Sequence, residues 1–271
     1  MQHKTEVLCA PFPTGATLSS YVHEKSEACP HAPRAAILVL PGGGYDFCYD
    51  GEAEPIALAY LREGLNAYVL RYSCGAAAKF PTPLWEAAFA MKTIRDRAKE
   101  ENTDPARVFV IGFSAGAHLA GALATCWQRE DVRAATGCAG EEDRPTGAIL
   151  SYPVVSGGKY RHVGSFCRVT GESDPDEAAL LRYSNEKNVT SATPPIFLWH
   201  TSADACVPVE NSLLMAEALS AHHIPFALHI FPRGGHGLCL ATEETAKGNP
   251  DATLPDVAEW LPLSVTWLRG V

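Results

Sequence analysis

The stretch Val108–Ala124, "VFVIGFSAGAHLAGALA", opens as a buried strand and closes as a helix, with Ser114 at the junction between Gly112 and Gly116. Its first residues are β-branched and aromatic, and those after Ser114 are mostly alanine and leucine, so the propensity changes at the serine itself. A chain that passes from strand to helix without a loop forces its turning residue into strained backbone angles. The positions two residues to either side must then be tiny to avoid a clash, and Gly112 and Gly116 meet that demand. Strain of this kind holds the Ser114 hydroxyl out beside the helix N-terminus, where free N–H groups and the helix dipole favour negative charge. This is the local design of a nucleophile elbow. The bare pattern G-x-S-x-G arises by chance in roughly one chain in ten of this length, so the strand-to-helix context carries the reading.

Working outward, apolar runs bounded by turn residues recur at Ala36–Leu40, Asn66–Tyr72, Val108–Gly112, Ala148–Tyr152, Ile196–Thr201 and Phe226–Phe231. Helical patterns lie between them at Pro83–Lys99, Ala115–Trp127, Asn211–His222 and Pro255–Arg269. Such alternation predicts an α/β protein with a mostly parallel sheet and helices on both faces. No linker, repeat or low-complexity stretch divides the chain, so residues 1–271 are expected to form a single domain. Residues 153–194 are long for one connection and are expected to make an excursion over the active-site edge of the sheet. Within it Asp174, Pro175 and Glu177 read as cap, first helical residue and capping-box acid.

Ligands of open parallel sheets bind beyond the carboxyl ends of the strands, which is where Ser114 falls. A serine nucleophile needs a base, and the base needs an orienting acid. After the Ile196–Thr201 run comes "SADACVPVENS", placing Asp204 just past a strand end; after Phe226–Phe231 comes "PRGGHGL", placing His236 in a glycine-flanked loop. The order Ser114, Asp204, His236 is the one this architecture requires. Backbone donors for an oxyanion are expected from Ala115, directly after the serine, and from Gly43 and Gly44 in "LVLPGGGYDF", Leu38–Phe47. A plain tight turn is the competing reading of that loop. A dinucleotide loop fails because Phe47 stands where G-x-G-x-x-G needs its third glycine, and no cofactor is expected. Tyr45, beside the glycines, is a candidate substrate contact.

The other histidines read as structural. His118 projects from the helix body and is expected to be packed, as are His200 and His229; His222 and His223 mark an exposed helix end. Arg71 and Tyr72 could line the cleft or be structural, while Trp85 and Trp127 are core candidates. The formal net charge is −9 and no Lys/Arg cluster occurs, which argues against nucleic acid and acidic membranes as partners. The 9 cysteines are scattered without a C-x-x-C pair, so a thiolate metal site is not expected and the thiols read as reduced. Met1–Gly15 has no apolar run of signal length, and no membrane-spanning run occurs; the expected location is cytoplasmic.

The stretches "LPGGGY", "NAYVLRYS", "DPARVFVIGFSAGAHLA", "PPIFLWHTSADACVPVENS" and "HIFPRGGHGL", spread over Leu38–Leu238, resemble α/β-hydrolase esterases of the acetyl-esterase type. Both hormone-sensitive-lipase-like enzymes and carbohydrate (xylan-type) acetyl esterases are akin to them. Pro41 stands where the hormone-sensitive-lipase-like branch has histidine, which points to the carbohydrate branch. Ala203 stands where relatives often carry a second aspartate, which leaves Asp204 the local acid. The resemblance implies a small-molecule ester substrate with a small acyl group, acetyl above all, and a sugar hydroxyl as the alcohol. A small amidase or peptidase, or a non-catalytic protein that keeps the fold, stay open as alternatives.

Overall fold

The computed structural model describes residues 1–28 and 30–271. Its strands are β1 (Gln2–Val7), β2 (Thr17–Val22), β3 (Arg34–Leu40), β4 (Asn66–Arg71), β5 (Thr103–Phe113), β6 (Ala148–Ser151), β7 (Ile196–Thr201) and β8 (Phe226–Phe231). They form one sheet in the order β1-β2-β4-β3-β5-β6-β7-β8. From β4 to β8 every pairing is parallel, and β1 and β2 add an antiparallel margin. The helices are α1 (Glu54–Arg62), α2 (Thr82–Asp96), α3 (Ala115–Cys126), α4 (Glu130–Thr136), α5 (Val163–Thr170), α6 (Glu177–Arg182), α7 (Glu210–Ala221), α8 (Pro255–Ala258) and α9 (Trp260–Gly270).

Successive strand residues point to opposite faces, and here both faces are covered. Leu38, Leu40, Val108 and Val110 pack with Leu84 and Met91 of α2 and with Leu119 and Leu123 of α3. Ile37, Val39, Phe109 and Ile111 pack with Ile56 and Tyr60 of α1 and with Trp260 and Leu268 of α9. Burial on two sides is why these strands read as continuous apolar runs rather than alternating ones. Emptying one such position, as in a Leu→Ala change, typically costs about 2–5 kcal/mol.

The chain steps outward from β3 to β4 and returns to β5 on the other side of β3, which opens a crevice at the carboxyl ends of β3 and β5. Register pairs Leu40 with Gly112, so the glycine loop after β3 runs beside Ser114. Phe113 pairs with Ser151 at the ends of β5 and β6, and Thr201 pairs with Phe231 at the ends of β7 and β8. Between β6 and β7 the chain makes α5 and α6 before returning to the sheet. Fully buried Asn211 on α7 ties this segment down: its Oδ1 accepts from Val155 N at 3.0 Å and Ser156 N at 3.1 Å, and its Nδ2 donates to Tyr160 O at 2.9 Å.

The hairpin β1–β2, and helices α1, α4 and α5, had no counterpart among the expected elements. β1 is polar and mostly exposed because its backbone pairing, not an apolar face, holds it to β2. The expected helix Pro255–Arg269 is broken at Glu259 into α8 and α9. The cap of α6 is Asp176, whose Oδ1 accepts from Ala179 N at 2.7 Å, and not Asp174. The two aspartates offer the same chemistry; packing of Leu180 and Tyr183 onto Val154, Phe166 and Val207 selects the later start. Every described cysteine is a free thiol, and Cys29 lies outside the described residues. Among the described residues no helix is long and apolar enough to cross a membrane.

Candidate active site

At the β5–α3 junction Ser114 has φ 53° and ψ −117°, a strained conformation for a side chain of L configuration. A Cβ at Gly112 would lie 2.1 Å from the Gly116 carbonyl oxygen, and one at Gly116 would lie 2.1 Å from the Leu40 carbonyl oxygen. Both glycines are therefore demanded by backbone-to-backbone contact. Ser114 N donates to Ser151 O at 3.0 Å and Ser114 O accepts from Val154 N at 3.2 Å, so neighbouring main chain fixes the turn on both sides.

The structure brings Ser114, His236 and Asp204 into one hydrogen-bonded line from three separate loops. The Ser114 hydroxyl lies 2.7 Å from His236 Nε2, and His236 Nδ1 lies 2.6 Å from Asp204 Oδ2. Asp204 is buried; Cys206 N and Val207 N each donate to its Oδ1 at 2.9 Å. Burial alone would raise the Asp204 pKa, but hydrogen bonds from His200 and His236 outweigh it and hold the carboxyl well below the usual carboxylate range. With Asp204 ionised, the neutral His236 ring carries its proton on Nδ1, which leaves Nε2 to accept from Ser114.

His200 is buried as expected, but its place is next to the acid. Its Nε2–H points between Asp204 Oδ2 at 3.3 Å and Val207 O at 3.0 Å, while Nδ1 lies 2.8 Å from the Ser212 hydroxyl. His118 is fully engaged elsewhere: Nε2 lies 2.7 Å from Tyr183 O and Nδ1 lies 2.8 Å from the Tyr45 hydroxyl. Burial pushes its pKa down to about 4, so it stays neutral.

Tyr45, a candidate substrate contact by its place in the sequence, has no exposed side-chain surface, and its hydroxyl is used on His118. It adopts φ 65° and turns inward against Tyr72 and Phe80, anchoring the glycine loop instead of facing the cleft. Gly43 (φ 122°) and Gly44 (φ 66°) occupy conformations that favour glycine. Among the described residues, the N–H groups of Gly43, Gly44 and Ala115 have no acceptor. Tyr72 is buried and donates to Pro41 O at 2.6 Å, while Arg71 pairs with Asp50 at 2.6 Å away from the serine.

Sequence reasoning missed a buried carboxylate behind this loop. Glu52 Oε2 accepts from Gly42 N at 2.7 Å, and Oε1 accepts from the Tyr152 hydroxyl at 2.7 Å. The same hydroxyl accepts from Cys239 N at 3.1 Å, and the Tyr152 ring packs edge-on to His236 at 5.1 Å. Glu52 thus links the glycine loop to the loop that carries His236. Its burial raises its pKa, opposed by the two bonds it accepts. Nothing in "DGEAEP" marks this acid apart from Glu54 two positions on. Among the described residues, no group of three or more His, Cys, Asp or Glu side chains is arranged to hold a metal ion.

A parallel sheet whose central strand ends in such a serine is the architecture of the α/β hydrolases. The chain belongs to that family, whose alpha/beta hydrolase fold profile matches residues 37–240. It is 40% identical over 85% of its length to "Endo-1,4-beta-xylanase B" of Butyrivibrio fibrisolvens, of which it spans 36%. It is 29% identical over 83% of its length to "Acetylxylan esterase" of Xylanibacter ruminicola, of which it spans 45%. The chain therefore covers less than half of either curated relative. Among solved structures it resembles the acetyl ester-xyloside bifunctional hydrolase from Caldicellulosiruptor lactoaceticus, with 38% identity, a TM-score of 0.79, and coverage of 96% of this chain and 89% of that one.

Proposed function

We propose that the protein is a serine carboxylic-ester hydrolase that removes short acyl groups, acetyl above all, from acetylated sugars such as xylo-oligosaccharides. The observation that carries the reading is the continuous line Ser114–His236–Asp204 beside three unclaimed backbone N–H groups. In the proposed mechanism the Ser114 oxygen attacks the ester carbonyl while His236 Nε2 takes its proton. The carbonyl oxygen becomes an oxyanion that receives hydrogen bonds from the N–H groups of Gly43, Gly44 and Ala115. His236 then passes the proton to the leaving alcohol, and the acyl group stays on Ser114 as an ester. Water, deprotonated by His236, repeats the addition and frees the acid. Asp204 stays ionised and stabilises the imidazolium that forms twice per turnover. The choice of acetyl and of a sugar alcohol is supported by the names of the relatives.

A panel of 4-nitrophenyl acetate, butyrate and octanoate, with acetylated xylo-oligosaccharides beside them, tests this reading. The acetate is expected to exceed the octanoate in kcat/KM by at least about tenfold, or 1.4 kcal/mol of transition-state discrimination. Ser114→Ala and His236→Ala are each expected to lower kcat by several orders of magnitude in folded protein, with Asp204→Asn milder. An octanoate preference would overturn the short-acyl assignment. A His236→Ala variant with wild-type turnover would overturn the mechanism.

A further inference from the structure

His162 stands at the start of α5, in the segment between β6 and β7, and its ring lies over the glycine loop. Its Cε1 is 3.8 Å from where a Cβ at Gly44 would sit. The same helix is fastened to that loop and its surroundings by the Arg168–Asp46 ion pair at 2.5 Å and by Phe80 N donating to Val169 O at 2.9 Å. His162 is thus a fixed feature of the cleft wall.

The ring's chemistry follows from its contacts. Nδ1 accepts from Ser165 N at 3.3 Å and lies 2.9 Å from the Ser165 hydroxyl. A backbone N–H can only donate, so Nδ1 holds the lone pair and the proton of the neutral ring is on Nε2. Burial pushes the His162 pKa down, and the charge of nearby His236 adds to that, against the opposing effects of Asp204 and Asp46. Among the described residues Nε2 has no hydrogen-bond partner, although the side chain is half-buried. The ring therefore carries an unclaimed N–H donor beside the glycine loop.

We propose that His162 is a specificity-determining residue whose Nε2–H donates a hydrogen bond to an oxygen of the sugar on the alcohol side of the ester. The proposal rests on the ester-hydrolase reading above. An acetyl methyl group has nothing for such a donor to bind, whereas a sugar carries several hydroxyl oxygens. His236 must protonate the leaving oxygen, so the alcohol half departs past the loops that border Ser114, and His162 lies over one of them, at Gly44.

The experiment holds the acyl group constant and varies the alcohol, comparing 4-nitrophenyl acetate with acetylated xylo-oligosaccharide for wild type, His162→Ala, His162→Phe and His162→Gln. The first two variants are expected to lose about tenfold more kcat/KM on the sugar ester than on the nitrophenyl ester, mainly through KM. Gln, which keeps an N–H donor, is expected to restore part of the difference. Phe refills the ring's volume, and melting temperatures identify any variant that fails to fold. Equal losses on both esters, or no loss on either, would overturn the inference while leaving the ester-hydrolase reading intact. Wild-type protein that cleaves the nitrophenyl ester and ignores the sugar ester would overturn the sugar assignment, and this inference with it.

Discussion

Burial divides chemically identical side chains between structure and chemistry. His118 and His236 are both imidazoles, yet His118 has both nitrogens committed inside the protein and His236 is partly exposed with Nε2 on Ser114. Position was legible in the sequence for Ser114, Asp204 and His236, since Ser114 directly follows a strand end and the other two lie in the loops after strand ends, places that periodicity and turn residues mark. It was not legible for Tyr45, because the direction of a side chain on a left-handed turn depends on what packs around it. The depressed pKa of His118 has a consequence for stability. Its folded value of about 4 lies below the unfolded value near 6.5. The unfolded chain therefore binds the extra proton first. Stability from this group is fully present above pH 6.5 and drains as pH falls towards 4, by at most on the order of 3 kcal/mol. Melting temperatures of wild type and His118→Gln, measured from pH 7.5 to 4.5, should diverge, with the wild type falling more steeply. Parallel curves would refute the assignment.

Elements, unlike residues, are positioned by what lies behind them. The glycine loop after β3 sits against Ser114 because Gly42 is held from the rear by Glu52, while Tyr152 carries the same carboxylate's influence to the His236 loop. Each oxygen of Glu52 accepts from one of these two donors, and an amide cannot satisfy both with its single oxygen. Glu52→Gln is therefore expected to lower kcat roughly tenfold or more, the scale of a lost hydrogen bond to a charged group, with KM changing less. Measuring kcat, KM and melting temperature on one preparation separates this from general destabilisation. Wild-type kcat in the folded fraction would show that the loops keep their geometry without Glu52. The sequence carried the strand, the serine and the glycines of this assembly. It did not carry Glu52, because an acid in a charged stretch looks like a solvated one until the fold buries it.

Across the whole molecule, the site and the margin of the sheet are far apart. β2, β4 and β3 lie between β1 and β5, the strand that ends in Ser114. Removing residues 1–6 deletes the pairing with β2 except at Val7–Thr17, together with the Glu6–Arg97 ion pair. The expected result is a melting temperature a few degrees lower, with kcat on 4-nitrophenyl acetate unchanged. A collapse in kcat without unfolding would mean that the margin is coupled to the site. The contrast between β1 and β5 also marks what each level of description decides. Buried strands, the alanine-rich helix and the glycines of the elbow were determined by the sequence alone, because two-sided burial and steric crowding leave local signatures in residue type. The hairpin β1–β2, the start of α6 at Asp176, the inward turn of Tyr45 and the burial of Glu52 and His162 were decided by tertiary structure. Each depends on partners distant in the chain, and backbone pairing or a buried polar contact imposes no pattern on the residues around it.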